Sequence, residues 1–414
     1  MEKSKKNIMR TSEFKKLFMK IHPISNLAKS LGLLLLISTF FSFTNNPKQI
    51  NTWDDNTIIE LLEEGGVSGI AWLPNGNEVI ISTSYGELSR YNVRTKTRVW
   101  TTVVTNHKQS IYVSDVNPSG TEMITYANEN STEAELNLVI RSTSDGSIIK
   151  TISEESDYVE KKYANNEPLD LRKTTNPDDV SWQMMPSSAY YDANGGMICV
   201  WKNAMETFAM FDHSFVYYNS IYEKKMEWQH VSLNNQGNRN GNMAGFPKPV
   251  ILKIDASNYI YGDADCDLIL LDQATINAGN KNFQIEDKPV GPKIFSRPFE
   301  EDIAVTGLEL RGNNLHVTIA GSGYAHYRIY DATTRKPISP NWLELGNSDF
   351  YMNVSATGKY MAVGRSGFRI YNTSTFTMEF DSDFAGGFNF TFNPATDNEL
   401  AVIKSGNLVL MKRS

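Results

Sequence analysis

Runs of alternating hydrophobic and polar residues, separated by short turns, recur along most of the chain. Near its end three such runs, Phe388–Asn393, Glu399–Lys404 and Asn407–Met411, predict three strands joined by turns. A sheet that stopped there would leave an edge strand with unpaired N–H and C=O groups. Another run, Asn56–Glu63, precedes the first repeat and has no partner of its own. We therefore expect this early run to add a fourth strand to the last sheet and to close a ring, with a helix as the alternative.

Seven turns of similar composition divide the chain into repeats. Each follows a hydrophobic run and is rich in Pro, Asn, Asp or Gly, which preset or accept the backbone angles of hairpin turns. The turns are Pro74–Gly76, Pro118–Gly120, Asp192–Gly195, Asp255–Asn258, Arg311–Asn314, Ala356–Gly358 and Pro394–Asn398. Where their spacing is regular it is about 40 residues, the length of one propeller blade. The repeats predict an all-β fold: a seven-bladed β-propeller of four-stranded antiparallel blades, closed by an N-terminal strand that completes the last blade.

A second motif lies late in the repeats and consists of an apolar or aromatic residue, Asp or Asn, two further residues and Thr. The copies are Tyr91–Thr95, Leu271–Thr275, Tyr330–Thr334 and Tyr371–Thr375. An Asp or Asn side chain can accept a hydrogen bond from the backbone two residues further on, which stabilises a turn. We therefore interpret the motif as the turn between the third and fourth strands and assign no activity to it.

These repeats resemble the WD40-like β-propellers over most of residues 57–414. The third strand of that family ends in Trp-Asp, where this chain has Tyr91-Asn92 and Tyr330-Asp331, and the first hairpin commonly reads like Trp72–Gly76. No Gly-His dipeptide precedes any repeat, so the family's buried His–Asp network is absent. The resemblance implies the propeller architecture and its closure by an N-terminal strand, and it implies no particular function.

The first 44 residues differ in composition from the rest. They carry eight Lys or Arg and two Asp or Glu, and Leu31–Phe43 is a mainly apolar run without charge. A basic stretch followed by an apolar run shorter than the roughly 20 residues of a membrane span is typical of a secretion signal. The alternatives are an uncleaved N-terminal membrane anchor and a buried helix. The signal and the anchor both predict an extracytoplasmic protein, with a linker at 45–56 and the propeller at 57–414.

Composition narrows the class of partner. The charge of −7 combines +6 in residues 1–44 with −13 in residues 45–414. An acidic body neutralises phosphate groups poorly, so we expect no nucleic-acid partner, and membrane contact only through an uncleaved N-terminal segment. Two cysteines, Cys199 and Cys266, do not make a disulfide framework. Whether they pair is left open by the sequence.

Three long insertions are predicted between blades, at about 153–186, 232–249 and 287–302. Connections from one antiparallel blade to the next leave from the same end, so we expect all three on one face, over blades 2–5. Long loops in a compact domain are often functional. Aromatic and basic residues in or beside them are typical of recognition surfaces, with packing against the rim as the alternative; they are Trp182, Trp228, His230, Arg239 and Phe246. We predict an exported, non-catalytic propeller that binds a protein or glycan through this face.

Motifs for catalysis are sparse. No two histidines have metal-ligand spacing, and the chain has no Cys-x-x-Cys, Gly-x-Ser-x-Gly or phosphate-binding loop. Asp263–Asp267 opens like a calcium loop, but Leu268 and Ala274 stand where such a loop needs Gly and Glu. We therefore assign no catalytic residue, metal or cofactor. The alternative function is an exported enzyme, such as a hydrolase, lyase or quinone-type dehydrogenase, with carboxylates from distant blades meeting at the mouth of the central channel.

Overall fold

Seven four-stranded antiparallel sheets make up most of the described part of the chain, and each is one blade of a β-propeller. The computed structural model describes residues 52–61, 65–104, 110–127, 137–154, 160–162, 167–169, 184–203, 210–233, 250–262, 266, 268–272, 293–295, 303–321, 324–345, 351–364, 368–382 and 389–414. The predicted signal or anchor at 1–44 lies outside these residues. Nowhere within them is there a helix long and apolar enough to span a membrane.

The strands follow one another in chain order through the blades. The N-terminal strand is β1 (Trp53–Glu60). Blade 1 is β2 (Val67–Trp72), β3 (Glu78–Thr83), β4 (Glu87–Asn92) and β5 (Thr97–Val103); blade 2 is β6 (Ile111–Val116), β7 (Glu122–Ala127), β8 (Leu138–Ser142) and β9 (Ile148–Ile152). A separate hairpin is β10 (Glu160–Lys162) and β11 (Glu167–Leu169). Blade 3 is β12 (Met184–Tyr191), β13 (Met197–Asn203), β14 (Met210–Tyr218) and β15 (Lys224–Leu233); blade 4 is β16 (Val250–Lys253), β17 (Asn258–Gly262), β18 (Leu268–Asp272) and β19 (Lys293–Phe295). Blade 5 is β20 (Ile303–Arg311), β21 (Asn314–Gly321), β22 (Tyr324–Asp331) and β23 (Leu343–Leu345); blade 6 is β24 (Tyr351–Val354), β25 (Tyr360–Gly364), β26 (Phe368–Asn372) and β27 (Met378–Ser382). Blade 7 is β28 (Phe390–Phe392), β29 (Glu399–Lys404) and β30 (Asn407–Arg413), completed by β1.

All blades have the same internal order, in which each strand pairs with the next. The first strands of neighbouring blades contact one another, so they surround the central axis and the fourth strands form the outer rim. The turns between strands one and two and between strands three and four lie at one end of each blade, here called the hairpin face. The loops between strands two and three and the connections to the next blade lie at the opposite end, here called the link face.

The predicted turns occur where the sequence placed them. All seven hairpin turns join the first and second strands of a blade. In the first of them Gly76 has a φ of 65°, a left-handed conformation that favours glycine. The second motif forms the turn between strands three and four in blade 1, where Asn92 Oδ1 accepts hydrogen bonds from the N–H groups of Arg94 and Thr95. Local side-chain chemistry therefore sets both kinds of turn.

Strand β1 closes the ring as predicted. It pairs antiparallel with β30, from Trp53 opposite Arg413 to Glu60 opposite Asn407. The helix alternative for this run is therefore wrong. The strand begins at Trp53, inside the stretch 45–56 that was expected to be linker, because the Trp53 side chain is buried between blades 6 and 7.

A β-bulge lets β1 contribute to two interfaces. The register shifts between Asp55 and Thr57, so Asn56 is an extra residue. Successive side chains of a regular strand point to opposite faces, and Trp53 and Ile59 would then lie on the same face. With the bulge, Trp53 packs between blades 6 and 7, and Ile59 packs between blades 7 and 1.

The hydrophobic core is divided among the contacts between blades. The described residues form seven clusters, and each draws side chains from two neighbouring blades. Both faces of each sheet are therefore covered. This explains why inner strands such as β3 and β25 are almost continuously buried and read as apolar runs rather than as an alternating pattern.

The fourth strand of blade 4 contradicts the prediction of an inter-blade insertion at 287–302. This strand, β19 at Lys293–Phe295, pairs with β18. The stretch between β18 and β19, residues 273–292, lies outside the described residues. The prediction of 287–302 as one continuous inter-blade insertion is therefore wrong, since a strand of blade 4 lies within it. A strand of three residues is too short to carry a recognisable pattern, and only its pairing with β18 identifies it.

Candidate functional site

The five residues predicted to contact a partner have different placements. Trp182, Arg239 and Phe246 lie outside the described residues. Trp228 and His230 lie on β15, and the backbone of His230 pairs with that of His213 on β14. Across the part of the chain that the structure describes, no group of His, Cys, Asp and Glu side chains could hold a metal ion.

Trp228 is a core residue. It is 4% exposed, and its ring stacks on that of Phe215 with centroids 5.1 Å apart. Tyr261 of blade 4 meets the Trp228 ring edge-on, also at 5.1 Å. The three rings belong to the cluster that joins blades 3 and 4. Trp228 is therefore removed from the candidate binding residues, since its side chain faces the next blade and not solvent.

The central channel brings together a set of polar side chains from different blades. They are Asp115 in blade 2, Tyr190 in blade 3, Glu309 in blade 5 and Asn353 in blade 6, all on first strands. Each lies two residues before the residue that closes the first hairpin of its blade. They therefore lie at the same level around the axis, toward the hairpin face. We call these four the channel residues.

Each channel residue forms a hydrogen bond with the backbone of the next blade. The first strand of a blade is an edge strand, so some of its N–H and C=O groups have no partner within their own sheet. The channel residues supply those partners. Asp115 accepts from Tyr191 N–H at 2.8 Å, Glu309 from Val354 N–H at 3.1 Å and Asn353 from Phe392 N–H at 2.7 Å, while Tyr190 donates to the Ile251 carbonyl. The same bonds hold neighbouring blades together around the axis.

Two of the channel residues are carboxylic acids with raised pKa values. Burial raises the pKa of Asp115 to about 6, although hydrogen bonds from Tyr191 and Val116 and the charge of Arg311 act in the opposite direction. Burial also raises the pKa of Glu309, against the effect of Arg311, and the charge of Asp115 adds to the rise. Acids with raised pKa values are common at catalytic sites. The hydrogen-bond partners of their oxygen atoms distinguish a catalytic role from a structural one.

Both oxygens of each carboxyl group already accept hydrogen bonds from the protein. Asp115 Oδ1 accepts from Val116 N–H at 2.9 Å, and Oδ2 from Tyr191. Glu309 Oε2 accepts from Arg311 at 2.6 Å, and Oε1 from Val354. A general acid or base needs an oxygen directed at the substrate. The contacts give these carboxyl groups a structural role, and none of the described channel residues supports the alternative of an enzyme.

The pH dependence of stability tests this assignment for Asp115. Its folded-state pKa of about 6 lies above the ordinary 3.8, so folding takes up a proton between these values. Ionisation of Asp115 therefore lowers the free energy of unfolding as the pH rises from 4 to 6. Asp115→Asn cannot titrate. Between pH 4 and pH 7 the free energy of unfolding of the variant should therefore rise by up to about 3 kcal/mol relative to that of the wild type. Urea unfolding at each pH measures this difference. A difference that stays constant over this range would contradict the raised pKa.

Sequence reasoning missed the channel residues, although a signal was present. Asp115 and Glu309 are acidic residues within mainly apolar first-strand runs, close before a turn. In a strand with one solvated face such a position is an ordinary outward-facing one. Only the closed ring shows that this face lies against the next blade.

Comparison with known proteins defines the fold. The β-propeller domain of Cps50 (Swd1) from Myceliophteria thermophila is similar in structure, with a TM-score of 0.54 and 12% sequence identity over 87% of this chain and 100% of that one. No protein-family model matches the sequence, and no curated protein matches it. This chain is thus a seven-bladed β-propeller. At this identity the likeness concerns the fold alone, and function has to be argued from the surfaces.

Proposed function

We propose that this protein is a non-catalytic scaffold that binds another protein on its link face, around blade 3. One observation carries the proposal: blade 3 extends further than its neighbour blade 2 at that face. Strand β15 has 10 residues, whereas the corresponding strand β9 of blade 2 has 5. Both strands start at the hairpin face, so the additional residues of β15, at about 3.3 Å each, extend its far end by about 16 Å.

The extension is a two-stranded arm. Strand β13 pairs with β14 as far as His213, and Met210–Asp212 continue beyond that point, paired with Val231–Leu233 of β15. We call these two segments the blade 3 arm. A projecting arm suits contact with a macromolecule, whereas small ligands bind in concave sites.

The arm lies between two long connections. Residues 153–183 lead into blade 3 and include the hairpin of β10 and β11, and residues 234–249 lead out of it. By position in the sequence, Trp182 belongs to the first connection, and Arg239 and Phe246 belong to the second. Trp and Arg are the residue types that most often dominate the binding energy of protein interfaces. A protein partner is therefore the better supported class, and none of the described features specifically favours a glycan.

Alanine variants of the connections test the proposal. Partners captured by the wild-type protein from its native extracellular or envelope fraction would be quantified by mass spectrometry. The same capture would be repeated with Trp182→Ala, Arg239→Ala and Phe246→Ala. Loss of a truncated interface anchor typically weakens binding by about 2 kcal/mol or more, so at least one variant should lose most of the captured partner.

The matched control is Ile221→Ala. Ile221 is exposed in the turn between strands three and four of blade 3, which places it at the opposite end of the same blade. This variant should capture partners as the wild type does. Unchanged capture by all three connection variants would contradict a link-face site, and an equal loss in Ile221→Ala would show that the effect is not specific to that face.

A further inference from the structure

The register of blade 3 places two histidines directly opposite each other. His213 on β14 pairs with His230 on β15, and the pairing of these two strands is regular from Met210 to Tyr217. We call these two residues the histidine pair. They are far apart in the sequence, so the spacing of histidines along the chain gives no sign of a common site.

Alternation along the two strands assigns the histidine pair to one face of blade 3. Residues two apart in a strand lie on the same face of its sheet. Phe215 and Trp228 are opposite each other, two residues away from the histidines, and both rings contact Tyr261 of blade 4. The histidine pair therefore lies on the face toward blade 4, one row nearer to the link face.

The row that contains the histidine pair crosses all four strands of the blade. Met185 pairs with Lys202, Lys202 with His213, and His213 with His230. The next residues of β14 and β15 toward the link face, Asp212 and Val231, already belong to the blade 3 arm. The histidine pair is therefore at the base of the arm.

Two opposite strand positions have the spacing that a shared metal ion requires. The Cβ atoms of directly opposite residues in an antiparallel pair are about 4.5–5.5 Å apart. Zn–N bonds are about 2.0–2.1 Å long, so two ring nitrogens on one tetrahedral zinc ion are about 3.3 Å apart. Imidazole nitrogen suits Zn²⁺, Cu²⁺ and Ni²⁺, whereas Mg²⁺ and Ca²⁺ prefer oxygen ligands.

The charges near the pair favour a cation over an anion. At pH 7.5 imidazoles with the ordinary pKa of about 6.5 are mostly neutral, so Lys202 carries the one positive charge of the row. This charge lowers the affinity for a cation, but neutral imidazole is a common metal ligand. Asp212 and Glu227 lie on the opposite face of the blade. Three further aspartates stand in the sequence between β17 and β18 and lie outside the described residues; they are Asp263, Asp265 and Asp267.

We infer that the histidine pair binds a divalent transition-metal ion such as Zn²⁺. The pair supplies two of the four ligands of a tetrahedral ion, and water or a side chain of a bound partner can supply the others. The two imidazoles are not among the described side chains, for which no group that could hold a metal ion is found. An ion at the base of the arm would have its open positions beside the proposed partner-binding face.

Isothermal titration calorimetry with Zn²⁺ tests the inference. The full-length protein would be used without an affinity tag, because a histidine tag binds metal ions itself. At pH 7.5 the wild type should bind one Zn²⁺ ion at the pair. His213→Ala and His230→Ala each remove one ligand and should weaken this binding at least about tenfold. Circular dichroism would establish that both variants remain folded.

Three controls accompany the titration. His326→Ala is the matched variant, because His326 also lies on a strand but has Glu344 opposite it in the neighbouring strand. It should bind Zn²⁺ like the wild type. Mg²⁺ should not bind at the pair, because it prefers oxygen ligands. Lys202→Ala removes a neighbouring positive charge and should strengthen Zn²⁺ binding about three- to tenfold.

Two further measurements report on the imidazole ligands themselves. Zinc X-ray absorption of the loaded wild type should show imidazole nitrogen bound to the ion, and this signal should be lost in the double variant His213→Ala/His230→Ala. A change from pH 7.5 to pH 5.5 protonates imidazoles of ordinary pKa, so the affinity for Zn²⁺ should fall at least about tenfold.

Several results would overturn the inference. Equal Zn²⁺ binding by the wild type and the double variant would mean an adventitious ion only. An equal loss in His326→Ala, weaker binding by Lys202→Ala, equal binding of Mg²⁺ or a spectrum without imidazole would contradict it as well. Partner capture by the connection variants is a separate measurement, so this inference and the proposed function can fail independently.

Discussion

Replacement of Trp53 by alanine is expected to lower the free energy of unfolding by about 3–5 kcal/mol, the usual loss for truncation of a large buried aromatic side chain. Trp53 is 1% exposed. Its ring meets those of Tyr360 and Phe392 edge-on, at centroid distances of 5.4 Å and 5.9 Å. These contacts join β1 to blades 6 and 7. Their loss leaves a cavity at the interface between blades 6 and 7, which the side chain of Trp53 fills in the wild type.

Ile58→Ala is the matched control for this prediction. Ile58 lies on the same strand, and 58% of it is exposed. Its truncation should change the free energy of unfolding by no more than about 0.5 kcal/mol. Urea unfolding followed by circular dichroism measures both variants without relying on tryptophan fluorescence. Equal effects of the two substitutions would show that the inward face of β1 does not stabilise the closed ring.

Arg94→Ala is expected to lower the free energy of unfolding by about 1–3 kcal/mol, because the buried carboxylate of Glu399 loses its main partner, although Arg94 itself is 39% exposed. Glu399 of blade 7 is 2% exposed, and both its oxygens accept hydrogen bonds from Arg94 of blade 1 at 2.6 Å. Burial raises the pKa of Glu399, but hydrogen bonds from Arg94 and Asn393 outweigh this effect and hold it below 4.5. The pair joins the last blade to the first, at the second interface that closes the ring.

A double-mutant cycle isolates the contribution of this pair. Arg94→Ala, Glu399→Ala and the double variant should give a coupling free energy of about 2 kcal/mol at neutral pH. Because the pKa of Glu399 is lowered, the coupling should be present above pH 4.5 and disappear as the pH falls below it.

The Lys404–Asp55 pair is the control for the cycle. It lies within blade 7, between β29 and β1, at 2.7 Å, and both of its side chains are more than 30% exposed. An exposed ion pair typically contributes about 0–1 kcal/mol. A coupling for Arg94 and Glu399 that is no larger than that of the control pair would contradict a stabilising role for the buried contact.

The link face of blade 3 and the channel residues differ in what the fold leaves available for a partner. At the link face of blade 3, β14 and β15 continue beyond β13. The channel carboxyl groups, by contrast, have their oxygens occupied by the fold. These contacts are consistent with the proposal that a partner binds at the link face and not in the channel.

The sequence by itself determined the hairpin turns, the number of blades and the closing strand. Turn residues act on backbone angles and hydrogen bonds within a few positions, so Pro74–Gly76 and Asn92–Thr95 carry their own structural information. The prediction of β1 followed from a physical requirement of the same kind, because a three-stranded last blade would leave an edge strand unpaired.

Only the tertiary structure decided which side chains face a neighbouring blade. Trp228 has the composition of a binding residue and is buried, because its strand position faces Tyr261 of blade 4. Asp115 and Glu309 look like solvent-facing acids and instead bond to the backbone of the next blade. The fourth strand of blade 4 was likewise recognisable only from its partner. These features depend on contacts between residues far apart in the chain, whose distances are set when the ring closes and leave no local pattern in the sequence.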